Sequence, residues 1–230
     1  MEVVFMITYY TAIGRLEVEK RGDGRQPTVY KEGEAHDLDV YEFCIWSLLS
    51  SNIRNYDELK RQYQQKRQEL RLFDDRPLDN VLTRLERRGL TASGMAYTAQ
   101  DAMYELICKL RIHPLRIPRL EKFLAFILLI FKFRMPLEKA IAAYKPYPLS
   151  DLEKHIINLT GRILLTPAEL IKCMEKGVVK MPSEEHLIDV VYQEEFTYKN
   201  LHNDTRFSKL RTSVMKAVVD LYLNKQIIFE

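Results

Sequence analysis

The sequence predicts a mainly α-helical α+β fold in which two similar modules are joined by a buried helix. Apolar residues recur at helical spacing in several separate stretches, as they do in amphipathic helices that pack on a core. Short apolar runs bounded by Gly, Asn or Asp indicate a few small strands. With 230 residues, of which 47% are hydrophobic, the chain is long enough for two domains of about 100 residues each.

Charge and cysteine usage narrow the class of protein. The net charge of +3 is too small to indicate nucleic acid by itself, so any basic binding surface has to be local. Cys44, Cys108 and Cys173 are odd in number and lie among apolar residues, which favours buried thiols in a reducing compartment.

Residues 1–10 lack the features of a signal peptide, and the apolar run 123–130 is too short to span a membrane. We therefore expect a cytoplasmic protein without a membrane segment.

Residues 1–36 are predicted to form a small β element. The sequence alternates between apolar and polar residues around Arg15 to Glu19, and Gly22-Asp23-Gly24 supplies a turn that tolerates positive φ. We expect this element to pack on the module that follows it.

Three helices are predicted within residues 37–89. The first is capped by Asp37 or Asp39 and continues with apolar residues at helical spacing. The second runs from Asn55 to Leu70, with acids in its first turn and bases at its end, as the helix dipole favours. The third runs from Pro77, as its first helical residue, to Gly89, which ends it.

A hairpin is predicted after the third helix. Leu90 to Ala92 is expected to form a short strand, Ser93-Gly94 the turn, and Met95 to Thr98 the returning strand, which leads into a helix from Gln100 to Leu110. Helix, helix, helix, hairpin, helix is the order of elements in a winged helix.

The segment Asn80 to Leu90, with the hairpin and Tyr97-Thr98, resembles the recognition helix and wing of winged-helix transcriptional regulators of the MarR and PadR kind. In those proteins Tyr-Thr-Leu-Thr follows the hairpin, whereas this chain has Tyr97-Thr98-Ala99-Gln100. The resemblance covers about residues 37 to 111 and implies a winged-helix module over residues 37–113.

Residues 149–230 are predicted to form a second, divergent winged-helix-like module. Leu152 to Leu159 has helical spacing, and Thr166-Pro167-Ala168-Glu169 provides the N-cap, the N1 proline and the N3 acid that begin another helix. A last amphipathic helix is predicted from Phe207 to Asn224, followed by a short strand. The long insertion 178–203 and the lack of a complete wing set this module apart from the first.

Residues 114–148 are predicted to link the two modules. Within them, 119–133 is apolar on most sides and is bracketed by Pro118 and Pro136. Because a helix that is hydrophobic all round is buried, we expect this helix to lie between the modules or in a dimer interface.

The third helix carries the candidate DNA contacts of the first module. A helix in the major groove presents Asn or Arg to base edges while its opposite face holds the core. The candidates on its polar side are Asn80, Thr83, Arg84, Arg87 and Arg88. Lys60 and Arg61 of the second helix are candidate phosphate contacts. An ordinary solvated helix face is the competing interpretation.

The last helix of the chain has a similar layout. Lys209, Arg211 and Lys216 lie on its polar side and are further candidate nucleic-acid contacts, although an amphipathic helix docked on a core gives the same pattern. The predicted wing, residues 91–95, carries no basic side chain, and this counts against tight DNA binding through the first module.

Motifs of catalysis and metal binding do not occur in the sequence. There is no glycine-rich phosphate loop, no Gly-x-Ser-x-Gly and no His-Glu-x-x-His. The 5 histidines are scattered, without Cys or His at metal-ligand spacing. We expect a binding protein without catalytic residues, metal or cofactor.

Two binding functions are compatible with these patterns, and an enzyme with an unfamiliar site is the third and least favoured alternative. The first is a DNA-binding protein, a dimeric transcriptional regulator, because recognition of two half-sites needs two recognition helices at a fixed spacing. The second is a protein-interaction scaffold of tandem winged helices, as in chromosome-segregation or replication-accessory proteins. The Asn/Thr/Arg face of the third helix favours the first function, whereas the nearly neutral charge and the uncharged wing favour the second.

Overall fold

The computed structural model describes residues 6–21, 24–72, 74, 76–115, 147–192 and 198–230. These residues form an α+β fold with nine helices and three small antiparallel sheets, which confirms the predicted class. The helix predicted at 119–133 lies outside the described residues.

The elements divide between an amino-terminal and a carboxy-terminal half. The first half contains β1 (Ile7–Ala12), β2 (Arg15–Arg21), β3 (Gly24–Lys31), β4 (Glu34–Asp37), α1 (Val40–Ser51), β5 (Arg54–Asn55), α2 (Tyr56–Glu69), α3 (Leu78–Arg87), β6 (Thr91–Ala96) and α4 (Ala99–Ile107). The second half contains β7 (Ile112–Pro114), α5 (Asp151–Leu159), α6 (Pro167–Glu175), α7 (Glu184–Val191), α8 (Tyr198–Arg206), α9 (Arg211–Leu223) and β8 (Ile227–Phe229).

Local sequence signals set the ends of the predicted helices. The Asp39 carboxylate accepts the backbone N–H of Glu42 at 2.9 Å, and the Glu42 carboxylate accepts the backbone N–H of Asp39 at 3.1 Å, so a capping box begins α1. Gly89, at φ 66°, ends α3, and the N–H of Leu90 donates to the carbonyl of Leu85 in a Schellman motif. Both ends confirm the predicted caps.

A three-stranded antiparallel sheet of order β5-β1-β6 ties the amino terminus to the three helices that follow it. β1 pairs with β6 along its whole length, from Ile7 opposite Ala96 to Ala12 opposite Thr91. A second sheet of order β2-β3-β4 is a meander, in which β2 and β3 pair as far as Arg21 opposite Gly24. The other residues of the turn predicted there, 22–23, lie outside the described residues.

The hairpin predicted at residues 90–98 is wrong. Residues 91–96 are one continuous strand, β6, which pairs with β1 instead of folding back on itself. Gly94, predicted to form the turn, has no positive φ and lies against α4. A Cβ at this position would be 2.3 Å from the backbone N of Leu106 and 2.5 Å from the carbonyl O of Ala102. The glycine therefore permits the close packing of a helix on a strand.

Buried apolar side chains form two clusters that are joined at the middle of the molecule. The first cluster fills the space between β1, α1, α2 and α3, and the second gathers α4, β7, β8 and the helices of the second half. Tyr222 of α9 joins the two halves, because its hydroxyl donates to the carbonyl of Leu49 at 2.8 Å and accepts from the Thr11 hydroxyl at 3.1 Å.

The second half departs from the predicted module in two places. Residues 178–203, predicted as an insertion, contain α7 and the larger part of α8. The last helix begins at Arg211 and not at Phe207, whose side chain is 86% exposed. The Ser208 hydroxyl accepts the backbone N–H of Leu210 at 3.2 Å and forms a turn that separates α8 from α9. The predicted start of α6 at Pro167 is confirmed.

α3 begins at Leu78, so Pro77 occupies the N-cap position and not the predicted first position of the helix. Within the described ranges, no helix has both the length and the apolar character needed to cross a membrane.

Candidate nucleic-acid interface on helix α3

The outer surface of α3 is divided into two rows of side chains. The inner face buries the predicted apolar stripe of Leu78, Val81, Leu82 and Leu85. Arg84 and Arg88, four residues apart, form one row and turn toward α1. Asn80, Thr83 and Arg87 form the other row. Their side chains are exposed and make no hydrogen bond or ion pair with any described residue.

The first row is held by a buried carboxylate. Glu42 is only 1% exposed, although it lies in the first turn of α1. Arg88 Nη1 donates to Glu42 Oε2 at 2.8 Å, and Arg84 Nη2 lies 3.3 Å from Glu42 Oε1, without the geometry of a hydrogen bond. Arg84 Nη1 also donates to Asp39 Oδ2 at 3.3 Å. Two of the arginines predicted to contact DNA therefore attach α3 to the amino terminus of α1.

Exposure supports the same division of roles. The side chain of Arg84 is 55% exposed and that of Arg88 is 30% exposed, so both reach the surface while their guanidinium groups point at carboxylates. Arg87 has no such carboxylate partner among the described residues. Arg87 is therefore the arginine of α3 that is available to a ligand.

The candidate phosphate contacts on α2 lie next to the start of α3. Lys60 and Arg61 are both exposed. The Tyr56 hydroxyl donates to Asp79 Oδ1 at 2.8 Å and joins the first turn of α2 to the first turn of α3. This hydrogen bond is the main reason that the pKa of Tyr56 is raised to about 12. Lys60 follows Tyr56 by one helical turn, with its Nζ 6.0 Å from the centre of the tyrosine ring.

The candidate nucleic-acid contacts of the second half also include both exposed side chains and a side chain that is held by a carboxylate. Lys209 and Lys216 are exposed. Arg211 Nη2 donates to Asp101 Oδ1 at 2.7 Å, and the guanidinium lies 4.6 Å from the centre of the Tyr104 ring. A hydrogen bond from Thr98 and the one from Arg211 lower the pKa of Asp101. Arg211 therefore fastens α9 to α4.

The structure does not bring all predicted contacts together on one surface. α3 packs on α1 and β6, whereas α9 packs on α5, α6 and β8. The helix that carries Asn80, Thr83 and Arg87 packs in the first hydrophobic cluster, whereas α9 packs in the second. Lys216 lies on α9, but Lys209, predicted on the same helix, precedes its first residue, Arg211. The Asp39-x-x-Glu42 spacing contained a signal for the position of Glu42, because the N3 glutamate of a capping box is held at the start of its helix.

Within the residues that the structure describes, neither metal ligands nor reactive thiols form a second candidate site. Within the described ranges, no three His, Cys, Asp or Glu side chains are placed to hold a metal ion. All three cysteines are buried, as predicted, and burial raises the pKa of the Cys108 and Cys173 thiols to about 12.

The comparisons with known proteins provide no relative from which a function could be transferred. No family model, no curated protein and no solved structure matches the chain.

Proposed function

We propose that this chain binds double-stranded DNA with α3 in the major groove. The observation that carries the proposal is the exposed row of Asn80, Thr83 and Arg87 on a helix whose opposite face is buried. A groove-reading helix needs this division, and Asn and Arg have the donor and acceptor patterns that match adenine and guanine. Of the three arginines that the sequence offered as candidates, Arg87 takes the base-reading role.

A winged-helix arrangement of the first half is part of this proposal. α1, β5, α2, α3 and β6 follow one another in the order of that fold, and β1 lies between β5 and β6, where a returning wing strand would lie. The amino-terminal strand thus takes the place of the second wing strand. The three helices keep the arrangement that exposes one face of α3.

Phosphate contacts complete the proposed interface. Residues 54–88 carry 10 basic and 7 acidic side chains, which leaves a modest local positive charge around α2 and α3. Lys60 and Arg61 would contact the DNA backbone, which fixes the orientation of a protein on the duplex but carries no sequence information. Lys209 and Lys216 would add backbone contacts if a second, divergent module also approaches DNA.

A homodimer would use the interface twice. Two copies of α3 spaced by one turn of DNA, about 34 Å, would read two half-sites of a palindrome. A dimer reads two half-sites with the same short row of residues. A dimeric transcriptional regulator is therefore the most specific protein that fits this proposal.

One observation favours a protein-interaction scaffold as a second candidate function. Met6, Met95 and Tyr97 are 48%, 55% and 63% exposed, and they lie together at one end of the β1–β6 pair. Methionine and tyrosine are enriched at the centres of protein interfaces. In a DNA-binding winged helix, we would expect basic side chains at this end of the sheet instead of these apolar and aromatic ones.

The test is selection of bound duplexes from a genome-derived pool, followed by titration with the full chain. Arg87→Ala should weaken binding to the selected duplex by roughly 1–3 kcal/mol and relax specificity at one base pair. Arg111→Ala is the matched control, since Arg111 is exposed and directly precedes β7, outside α2 and α3. If the wild type binds no duplex more tightly than about 10⁻⁴ to 10⁻⁶ M at physiological salt, the scaffold function replaces this proposal.

A further inference from the structure

A cavity of about 920 Å³ lies between the two halves of the molecule. This volume is at the upper end of the range of about 300–1,000 Å³ that is typical of small-molecule sites. Half-buried apolar side chains from both halves line it, among them Leu16, Tyr30, Leu115, Leu164 and Ile228. Sites with such a lining bind the apolar body of a ligand and use a few polar groups to orient it.

The charged groups around the cavity do not balance one another. Arg15 is paired with Glu17 at 3.4 Å, whereas His113 Nδ1, 3.6 Å from Glu230 Oε2, forms an ion pair only when the histidine is protonated. Arg162 also lines the cavity, is exposed, and forms no ion pair with a described residue. One cation at the cavity is therefore available to an anion from solution.

Lys225 is a second such cation. Its Nζ donates to the backbone carbonyl of Ser50 and lies 5.3 Å from the centre of the Tyr222 ring, and it makes no ion pair with a described carboxylate. Partial burial without a carboxylate partner lowers the pKa of Lys225. The negative charge of a bound anion would oppose this lowering, because it favours the protonated amine.

The backbone at Lys225 is also unusual. The residue follows the C-cap of α9 at φ 55°, in the left-handed region that glycine occupies most readily at the end of a helix. A glycine at this position would remove the cation from the cavity. Uncommon backbone conformations that are kept at the rim of a cavity are a feature of ligand sites.

We propose that the cavity between the two halves binds an organic anion with an apolar body, whose acid group pairs with Arg162 and Lys225. The apolar body lies on Leu16, Leu164 and Ile228. A medium-chain fatty acid has this chemistry: one carboxylate and a flexible apolar chain. The proposal is independent of DNA binding, because no lining residue belongs to α2 or α3.

The probe is decanoate, titrated calorimetrically into the full chain below the concentration at which the probe aggregates. We expect saturable binding of one decanoate per chain, and at least about tenfold weaker binding of 1-decanol, which lacks the charge. Arg162→Gln and Lys225→Gln should each weaken decanoate binding about tenfold, the usual effect of losing one charge-assisted hydrogen bond. In the double variant, decanoate should bind no better than decanol.

Matched variants keep the result interpretable. Lys180→Gln removes an exposed cation outside the cavity and should leave decanoate binding unchanged, whereas Arg162→Lys should retain most of it. Leu16→Trp fills part of the cavity and should abolish binding while thermal unfolding remains cooperative. Equal affinity for decanol and decanoate, unchanged binding in both glutamine variants, or no saturable binding to the folded wild type would each overturn the proposal.

Discussion

The two halves of the molecule fasten helices with the same chemical groups, but the carboxylates differ in burial. In the first half, Arg84 of α3 and Arg88 at its C-cap converge on Glu42, which is 1% exposed. In the second half, Arg211 of α9 binds Asp101 of α4, whose side chain is 28% exposed. A buried carboxylate depends on its partners far more than an exposed one, because water cannot replace them. We therefore expect arginine substitutions in the two halves to differ in their effect on stability.

Arg88→Ala should have the largest effect. It leaves the buried Glu42 with the backbone N–H of Asp39 and the 3.3 Å contact from Arg84, and breaking such a buried pair typically costs about 3 kcal/mol or more. Urea unfolding monitored by circular dichroism measures the change. Arg87→Ala, one residue away and exposed, should change the free energy of unfolding by less than about 0.5 kcal/mol.

A double variant sharpens the same point. Glu42→Gln combined with Arg88→Ala removes the buried charge together with its partner, so it should be more stable than Arg88→Ala alone. Equal destabilisation by Arg88→Ala and Arg87→Ala would show that burial of Glu42 does not matter.

Gly94→Ala should have the next largest effect, at the place where α4 crosses β6. The new Cβ would meet the backbone of α4 at Leu106 and Ala102, so the helix has to move and lose packing in the second cluster. Overpacking of this kind costs about 1–3 kcal/mol. Gly33→Ala is the control, since a Cβ there meets nothing within 4 Å, although its φ of 84° adds a cost of its own. A Gly94→Ala protein as stable as the wild type would contradict the close approach of α4.

Arg211→Ala should have a smaller effect than Arg88→Ala. The Asp101 carboxylate remains accessible to water and keeps its hydrogen bond from Thr98, so we expect a loss of about 1 kcal/mol, including the contact with Tyr104. Thermal and urea unfolding give the value, with Lys209→Ala as a neighbouring exposed control. A loss as large as that of Arg88→Ala would remove the distinction between the halves.

The smallest effect is a pH dependence of the second half. Burial lowers the pKa of His202, against the raising effect of Glu105, whose Oε2 lies 3.3 Å from Nε2, while Lys109 and Arg206 lower it further. The unfolded chain then binds the proton more tightly. The stabilising contribution is complete above the unfolded pKa of about 6.5 and is lost as the pH falls through the lower folded value.

The measurement compares free energies of unfolding at pH 7.5 and pH 5.5. His202→Gln should lose less stability between these two pH values than the wild type does. His186→Gln, at an exposed position, should behave like the wild type. A wild-type protein that is more stable at the lower pH would mean that the effect of Glu105 dominates.

Sequence signals that act within one turn of helix predicted the structure well. The caps at Asp39 and Thr166 and the glycine stop at Gly89 satisfy backbone groups within a few residues, so the local sequence is sufficient to locate them. Ser93-Gly94 has the composition of a turn, but the glycine serves a contact with α4, and the partner of its strand is β1. Such a pairing is not visible in local composition.

The candidate interface could be predicted only in part. The sequence identified the polar side of α3, and the structure places all five candidates there. It could not tell Arg84 and Arg88 from Arg87, because the distinction depends on how α3 crosses α1 and on the burial of Glu42. The cavity between the halves left no sequence signal, since its lining comes from several distant segments.

Because β1 is the central strand of its sheet, its position affects how long the strand stays unpaired during synthesis on the ribosome. β1 is synthesised before its partner β6, which lies roughly 80–90 residues later in the chain. At about 5–20 residues per second, β1 waits several seconds before that partner emerges. During this time α1, β5 and α2 can form. The edge of β1 that will pair with β6 stays unpaired until β6 has been synthesised. Slowing translation over residues 12–90 should therefore lengthen the exposure of β1 to chaperones and to aggregation.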